Sequence, residues 1–319
     1  MIIAVGCLIQ WYEADIIEQY FHSIRQAIEH VRMYKPETLI IVHNEVDMST
    51  FIEQPIEGVS TVECVEKIRQ AAIKYDFNIA RVHNGLYPYS VSEFRHDFNS
   101  NFCRIAELLV WGESDMIAPR AYFKYLTQLY EVAPKSKWIS TFSSCKMWDE
   151  TWEALEHPDF TRLPHSDSKT DWWSVNYDMT FEEMETINEK VKEPTVVEIR
   201  SKLGEVKFNG CGLVLTSQII KSGLNVPLAA FFVHEDSAFM YLLNKVLPGL
   251  KQYHFSDVLL VHNRKHALKR HLVANESGDT VGTRRKSNPT YVKANTLSQD
   301  NVINLFNSSI NFFTWKQVK

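Results

Sequence analysis

Several common signatures are missing from this chain of 319 residues, and each absence removes a class of function. No apolar run approaches the roughly 20 residues that a membrane helix needs; stretches such as Leu224–Val233 are short and interrupted. The start, Met1-Ile2-Ile3-Ala4-Val5-Gly6, has no basic n-region and no small-residue cleavage site, so no secretory signal is expected. Five cysteines at irregular spacing, with no CxxC pair, predict reduced thiols in a cytoplasmic setting and neither a disulfide frame nor a zinc site. There is no GxGxxG after the first predicted strand and no GxxxxGK[ST], which removes the dinucleotide fingerprint and the P-loop. GxSxG and HExxH are absent too, which argues against a serine hydrolase and a zinc protease. No internal repeat or low-complexity tract is present.

What remains has the composition of a folded enzyme-sized chain, 45% hydrophobic and 23% charged. The net charge of −5 is uneven. Between Arg264 and Lys293 eight Lys/Arg face two acids, an excess of +6 that leaves −11 on the rest. The plain reading of that window is a solvated, flexible segment; the sharper one is contact with an anion such as nucleotide phosphates. No nucleic-acid partner is expected.

The order of elements predicts an α/β fold. Ile2–Ile9 reads as a buried parallel strand, and a helix with apolar positions Ile17, Tyr20, Phe21, Ile24 and Ile28 follows, with Asp15 as its expected N-cap. Thr38–Val42 is a second strand ending at His43, which completes a βαβ unit. Helices over 64–75, 92–106 and 119–132 alternate with strands over 77–82, 108–111 and 137–142. This alternation predicts a mostly parallel, Rossmann-like open sheet with helices on both faces. The tryptophan-rich stretch around Trp148, Trp152, Trp172 and Trp173, then an acidic helix from Phe181, read as an insertion over 146–205. The tryptophans suit either a buried anchor or a surface for stacking on sugar. Order returns at 206–216, 228–233, the helix from about Ser237, and the strand Phe255–Val261. The expected organisation is a catalytic unit over 1–265 and a C-terminal extension over 266–319.

Ligands of open α/β sheets bind outside the carboxyl ends of the strands, so the residues just past each strand are the candidates. They are Gln10, Trp11, Tyr12 and Glu13; His43, Asn44, Glu45 and Asp47; His83 and Asn84; Glu113, Ser114 and Asp115; His234, Glu235 and Asp236; and His262. Two carboxylates at i and i+2 of a turn, as in Glu113-Ser114-Asp115, can approach one Mg2+ or Mn2+; a helix N-cap is the plainer role. Glu235-Asp236 opens a helix after an apolar run, where an acid either stabilises the helix dipole or serves as a general base. Gly210 and Gly212 fall inside an apolar, strand-like run, which suggests close approach of a ligand or another backbone.

Taken in order, four landmarks resemble the GT-A fold of nucleotide-sugar glycosyltransferases, family-2-like. They are the polar first loop Gln10-Trp11-Tyr12-Glu13, the strand end Trp111-Gly112-Glu113-Ser114-Asp115, the glycine-bearing Phe208-Asn209-Gly210-Cys211-Gly212, and His234-Glu235-Asp236. The resemblance spans roughly residues 1–265. It implies that Glu113-Ser114-Asp115 is a DxD-like motif with Asp115 on the metal and Glu113 near metal or ribose. It makes Asp236, beside Glu235, the base of an inverting reaction, and His262 a late metal ligand. Gln10, Tyr12, Glu13, Ser114, Gly210 and Gly212 would line the donor site. Asn44 or Asp47 would lie near the nucleobase, and Arg95 or Arg104 would hold the motif or the diphosphate. The implied activity is transfer of a sugar from a nucleoside diphosphate sugar to a hydroxyl of a saccharide or other acceptor, with Mn2+ or Mg2+. Alternatives are a nucleotidyltransferase making a nucleotide sugar and a non-catalytic nucleotide- or sugar-binding module of the same fold. The first loop lacks the glycine-rich, basic character usual in nucleotidyltransferases.

Overall fold

The structure, a computed structural model, describes residues 1–49, 58–85, 89–133, 135–146, 180–199, 210–228 and 235–262. The tryptophans of the expected insertion, His234, the run over 229–233 and the basic segment from Arg264 to Lys293 lie outside them. Among the described residues, no helix is long and apolar enough to cross a membrane.

Strand β1 (Ile2–Gln10) shows how the two layers arise. Successive strand side chains point to opposite faces. Ile3, Val5, Cys7 and Ile9 enter one apolar core with α1 (Ile17–Tyr34), α2 (Thr61–Lys74) and α4 (Tyr122–Val132). Ala4 and Leu8 enter a second core with α3 (Val91–Phe102), α6 (Ser217–Lys221) and α7 (Glu235–Val246). Helices therefore cover both faces. In α1 the buried Ile17, Tyr20, Phe21, Ile24, Ile28 and Val31 recur every three or four residues, one stripe of a 3.6-residue helix. Its N-cap is Ile16, with no side-chain cap, so the expectation for Asp15 is corrected: a 3-10 turn at Trp11–Glu13 carries the chain straight into the helix. Side-chain caps do start α2, at Ser60, and α3, where Ser90 and Glu93 form a reciprocal capping box.

The strands are β2 (Leu39–Asp47), β3 (Ile79–His83), β4 (Leu108–Trp111), β5 (Met116–Ile117), β6 (Trp138–Lys146), β7 (Val196–Ile199), β8 (Leu213–Thr216) and β9 (Lys251–His262). They form one sheet in the order β3-β2-β1-β4-β8-β6-β9-β5, with β7 also on β9. Helix α5 (Phe181–Asn188) packs near β9, where the Asn188 side chain exchanges hydrogen bonds with the Leu259 backbone. The sheet is open and mixed. The β3-β2-β1-β4 portion is parallel, β8 lies antiparallel between β4 and β6, and β6 and β9 are parallel again.

That reversal positions the site. β1, β2, β4 and β9 all end at the same edge, whereas β8 begins there. The segment over 210–212, expected inside a strand, is a turn that enters β8 from this edge. β2 also runs further than expected, through His43 and Asn44 to Asp47. The two-residue β5 has no periodicity long enough to read from sequence. It pairs antiparallel with the end of β9, Met116 opposite His262.

Candidate active site at the carboxyl edge

The turn after β4 is tight: Met116 N donates to Glu113 O at 2.9 Å. It sets Asp115 next to β5, and the β5–β9 register then brings His262 across. His262 Nε2 lies 3.1 Å from Asp115 Oδ1 and 3.1 Å from Glu113 Oε2. Both carboxylates expected to hold a metal thus reach the expected imidazole, with His262 and Asp115 both buried.

Arg95, on α3, is buried and forks between two acids. Its Nη2 donates to Glu113 Oε1 at 2.6 Å and its Nη1 to Glu235 Oε1, at the first residue of α7. The guanidinium carbon sits 4.6 Å from the Trp111 ring centroid, and the Trp111 indole donates to Asn99. A planar, five-donor cation suits this double role in a way that lysine does not. Asp236 follows Glu235, and its Oδ2 accepts from Gly210 N at 2.9 Å.

Two glycines allow this approach. A Cβ on Gly210 would stand 2.7 Å from Arg95 Nη2 and 2.9 Å from Cζ. Gly212 has φ +69, in the left-handed region that glycine adopts without strain, and a Cβ there would meet Leu260 at 2.6 Å. Gly212 N donates to Trp111 O, and Tyr122 donates to Gly212 O. The sequence had these glycines in the right neighbourhood; they admit Arg95 and a turn.

Among the described residues the cluster is short of positive charge. Glu113, Asp115, Glu235 and Asp236 gather around one guanidinium and one imidazole. Burial alone would lower the Arg95 pKa, but the charges of Glu235, Glu113 and Asp236 outweigh it and hold the group above its ordinary value. Burial opposes ionisation of Glu113, and His262 and Arg95 overcome it, pulling that carboxyl down to about 2. At Glu235 burial wins over Arg95, with Asp236 adding repulsion, and the carboxyl is pushed up to about 7. Beneath the cluster the Cys7 thiol is raised by burial and then by Glu13, Glu113 and Asp115. A divalent cation would relieve this excess, and an imidazole with carboxylate oxygens is a donor set that fits Mn2+.

The remaining expected residues divide. Glu13 is buried and turned inward, where it accepts from Gln10 N at 2.9 Å and from the Ser114 hydroxyl. Glu13 and Ser114 therefore brace the first loop against the acidic turn. The Tyr12 ring packs edge-on to Trp11. Asp47 ends β2 beside Gln10, where Ser49 N donates to its Oδ1 at 2.9 Å and burial raises its carboxyl pKa.

Two expectations are corrected. Asn44 is not at the edge: it lies within β2, fully buried on the α1 side opposite Cys7, because the strand does not stop at Val42. Arg104 is exposed after α3, before β4 begins, so it sits at the opposite end of that strand from Glu113.

One residue, and one grouping of strand-end candidates already named, were not foreseen from the sequence. Cys211 places its sulfur near Glu113 and His262, with all three ligand atoms within 4.8 Å of one another. Its signal was its place between two constrained glycines. The second is a smaller acid cluster near β3, where Glu45 accepts from His43 at 2.8 Å and from His83 at 2.5 Å, and Tyr89 stacks on His83 with centroids 3.9 Å apart.

No protein-family model and no curated protein sequence matches the chain. Among solved structures it is similar to S. aureus TarS residues 1–349 in complex with UDP, at 11% identity and a TM-score of 0.46, covering 100% of this chain and 76% of that one. The UDP-GlcNAc complex of the same protein gives the same values. The galactosyltransferase LgtC, in complex with donor and acceptor sugar analogues, is 11% identical with a TM-score of 0.33, over 94% of this chain and 96% of that one. At these values the likeness carries no functional argument, and what the chain does has to be judged from its own side chains.

Proposed function

We propose that this chain is a nucleotide-sugar-dependent glycosyltransferase that moves a sugar from a nucleoside diphosphate donor to an acceptor hydroxyl with inversion. One observation carries the reading. Asp115 and Glu113 each come within 3.1 Å of the His262 imidazole, and Arg95 ties Glu113 to Glu235, next to Asp236, at the same carboxyl edge.

Asp115, Glu113 and His262 would hold a Mn2+ or Mg2+ ion. When bound, such an ion neutralises charge that builds on the departing diphosphate. Asp236 takes the proton of the acceptor hydroxyl. The acceptor oxygen bonds to the anomeric carbon while the bond from that carbon to the diphosphate oxygen breaks on the opposite face. Gly210 N orients the Asp236 carboxylate, and Arg95 keeps the base at a set distance from the acidic turn. Glu13 and Ser114 hold the first loop where a nucleotide would lie. The Arg264–Lys293 window, which lies outside the described residues and begins two positions after His262, has the positive charge that would suit a diphosphate.

The test is thermal unfolding with nucleoside diphosphates, with and without Mn2+. Saturation at about 100 times the dissociation constant adds about 2.7 kcal/mol, a rise of roughly 5 °C for a protein of this size. Asp115→Asn is expected to remove the Mn2+-dependent part of that rise. If no nucleoside diphosphate changes the midpoint, the reading is wrong.

A further inference from the structure

The expected donors for a cation at this edge are an imidazole and carboxylates, which suit Mn2+ or Mg2+. The structure adds a thiol. Among the described residues, Glu113, Cys211 and His262 are the group of His, Cys, Asp or Glu side chains whose ligand atoms come within 4.8 Å of one another. Cys211 and His262 are buried and Glu113 is partly so.

The backbone that carries Cys211 is held on both sides. Before it, Gly210 N is bonded to Asp236 and its Cα rests against Arg95. After it, Gly212 N is bonded to Trp111 O and Gly212 O accepts from Tyr122. A rigid turn that aims a sulfur at an imidazole and a carboxylate is more than a core cysteine needs. Cys64 and Cys103 fill apolar positions and join no such group among the described residues.

We propose that Cys211 ligates a divalent cation at this site together with His262 and Glu113, so that the centre prefers a borderline ion such as Zn2+ or Co2+ over Mg2+. The proposal rests on the reading of this edge as a cation site. Around one tetrahedral zinc, with bonds of about 2.0–2.3 Å, neighbouring ligand atoms lie roughly 3.5 Å apart. His262 and Glu113, 3.1 Å apart, are already that close, and Cys211, within 4.8 Å of both, has at most a little over 1 Å to close. A fourth position then remains for an oxygen of a ligand. On binding, the S–H bond breaks, a sulfur–metal bond forms, and the proton leaves to solvent. Thiolate ligands select softer ions, while Mg2+ keeps oxygen and water.

Co2+ is the probe, added alone to the full chain. Wild type is expected to show thiolate-to-cobalt charge-transfer absorption, to release a proton and to lose the band when Zn2+ is added in excess. Cys211→Ser, a near-isosteric change, should abolish the band and weaken Co2+ and Zn2+ binding by at least about tenfold, with Mg2+ affinity unchanged. Protection of the Cys211 thiol from alkylation by Zn2+ in wild type gives the same information without a variant. Bound Co2+ with no thiolate band, a band that survives in Cys211→Ser, or unaltered alkylation overturns the proposal. Nucleoside diphosphate binding is read separately in Mn2+. Its survival in those cases leaves the transferase reading standing, and its absence overturns that reading whatever cobalt does.

Discussion

Two glutamates in this molecule each sit between two nitrogen donors, and they were built in different ways. Glu45 lies between His43 and His83 on adjacent parallel strands, half-buried, two residues from one partner and diagonal to the other. Glu113 lies between Arg95 and His262, which come from α3 and the end of β9, and its cluster draws on the turn over 210–212 and on α7 as well. The first is a by-product of strand pairing. The second exists only when five separate segments are in place, and among the described residues it gathers more negative charge than its cations balance. A local acid pair near water costs little to keep, while a buried one needs a partner or a ligand.

Breaking the second network at its reactive end is expected to have the largest effect. Asp236→Asn should lower transfer by about 100- to 10,000-fold while the donor-induced thermal shift remains, since it removes a base and leaves the donor contacts. Turnover within tenfold of wild type would indicate another base or a retaining reaction. Arg95→Met tests the bridge itself. It leaves the buried Glu235 and the partly buried Glu113 without their cation and is expected to cost about 3–5 kcal/mol in urea unfolding. A loss below about 1 kcal/mol would show that the two clusters do not differ in kind.

Glu45→Gln is the matching change in the first network, with an expected loss of about 1 kcal/mol or less. The smallest effect is its pH dependence. Burial raises the Glu45 pKa, but the hydrogen bonds and charges of His43 and His83 outweigh it, so the folded value lies below the ordinary one. The carboxylate's contribution is therefore complete above the unfolded carboxylate value of about 4.3 and is lost as pH falls through the folded value. The stability gap between wild type and Glu45→Gln should close in acid. A gap that widens in acid would reverse the sign of the shift.

Much of the site was legible because short polar signals mark strand ends. Glu113, Asp115, Glu235, Asp236 and His262 each follow or close an apolar run, and all five reach the same edge. Asn44 was misplaced because a strand that continues through His43 and Glu45 carries polar residues on its α3 face, and polarity was read as its end. Cys211 was missed for the opposite reason: an apolar residue in an apolar run looks like strand interior, and the turn depends on the φ of Gly212. The inward turn of Glu13 toward Ser114 had no local signal at all.

By itself the sequence determined the α/β alternation, the helix stripes and the acidic strand ends. These follow from side-chain periodicity and from turn and capping residues, which act over a few positions. Only the tertiary structure decided that β8 runs antiparallel between β4 and β6, that β5 pairs with the end of β9, and that Arg95 joins Glu113 to Glu235. Strand direction and register between distant segments are settled when both faces of the sheet bury their side chains together, and no short stretch of chain contains that information.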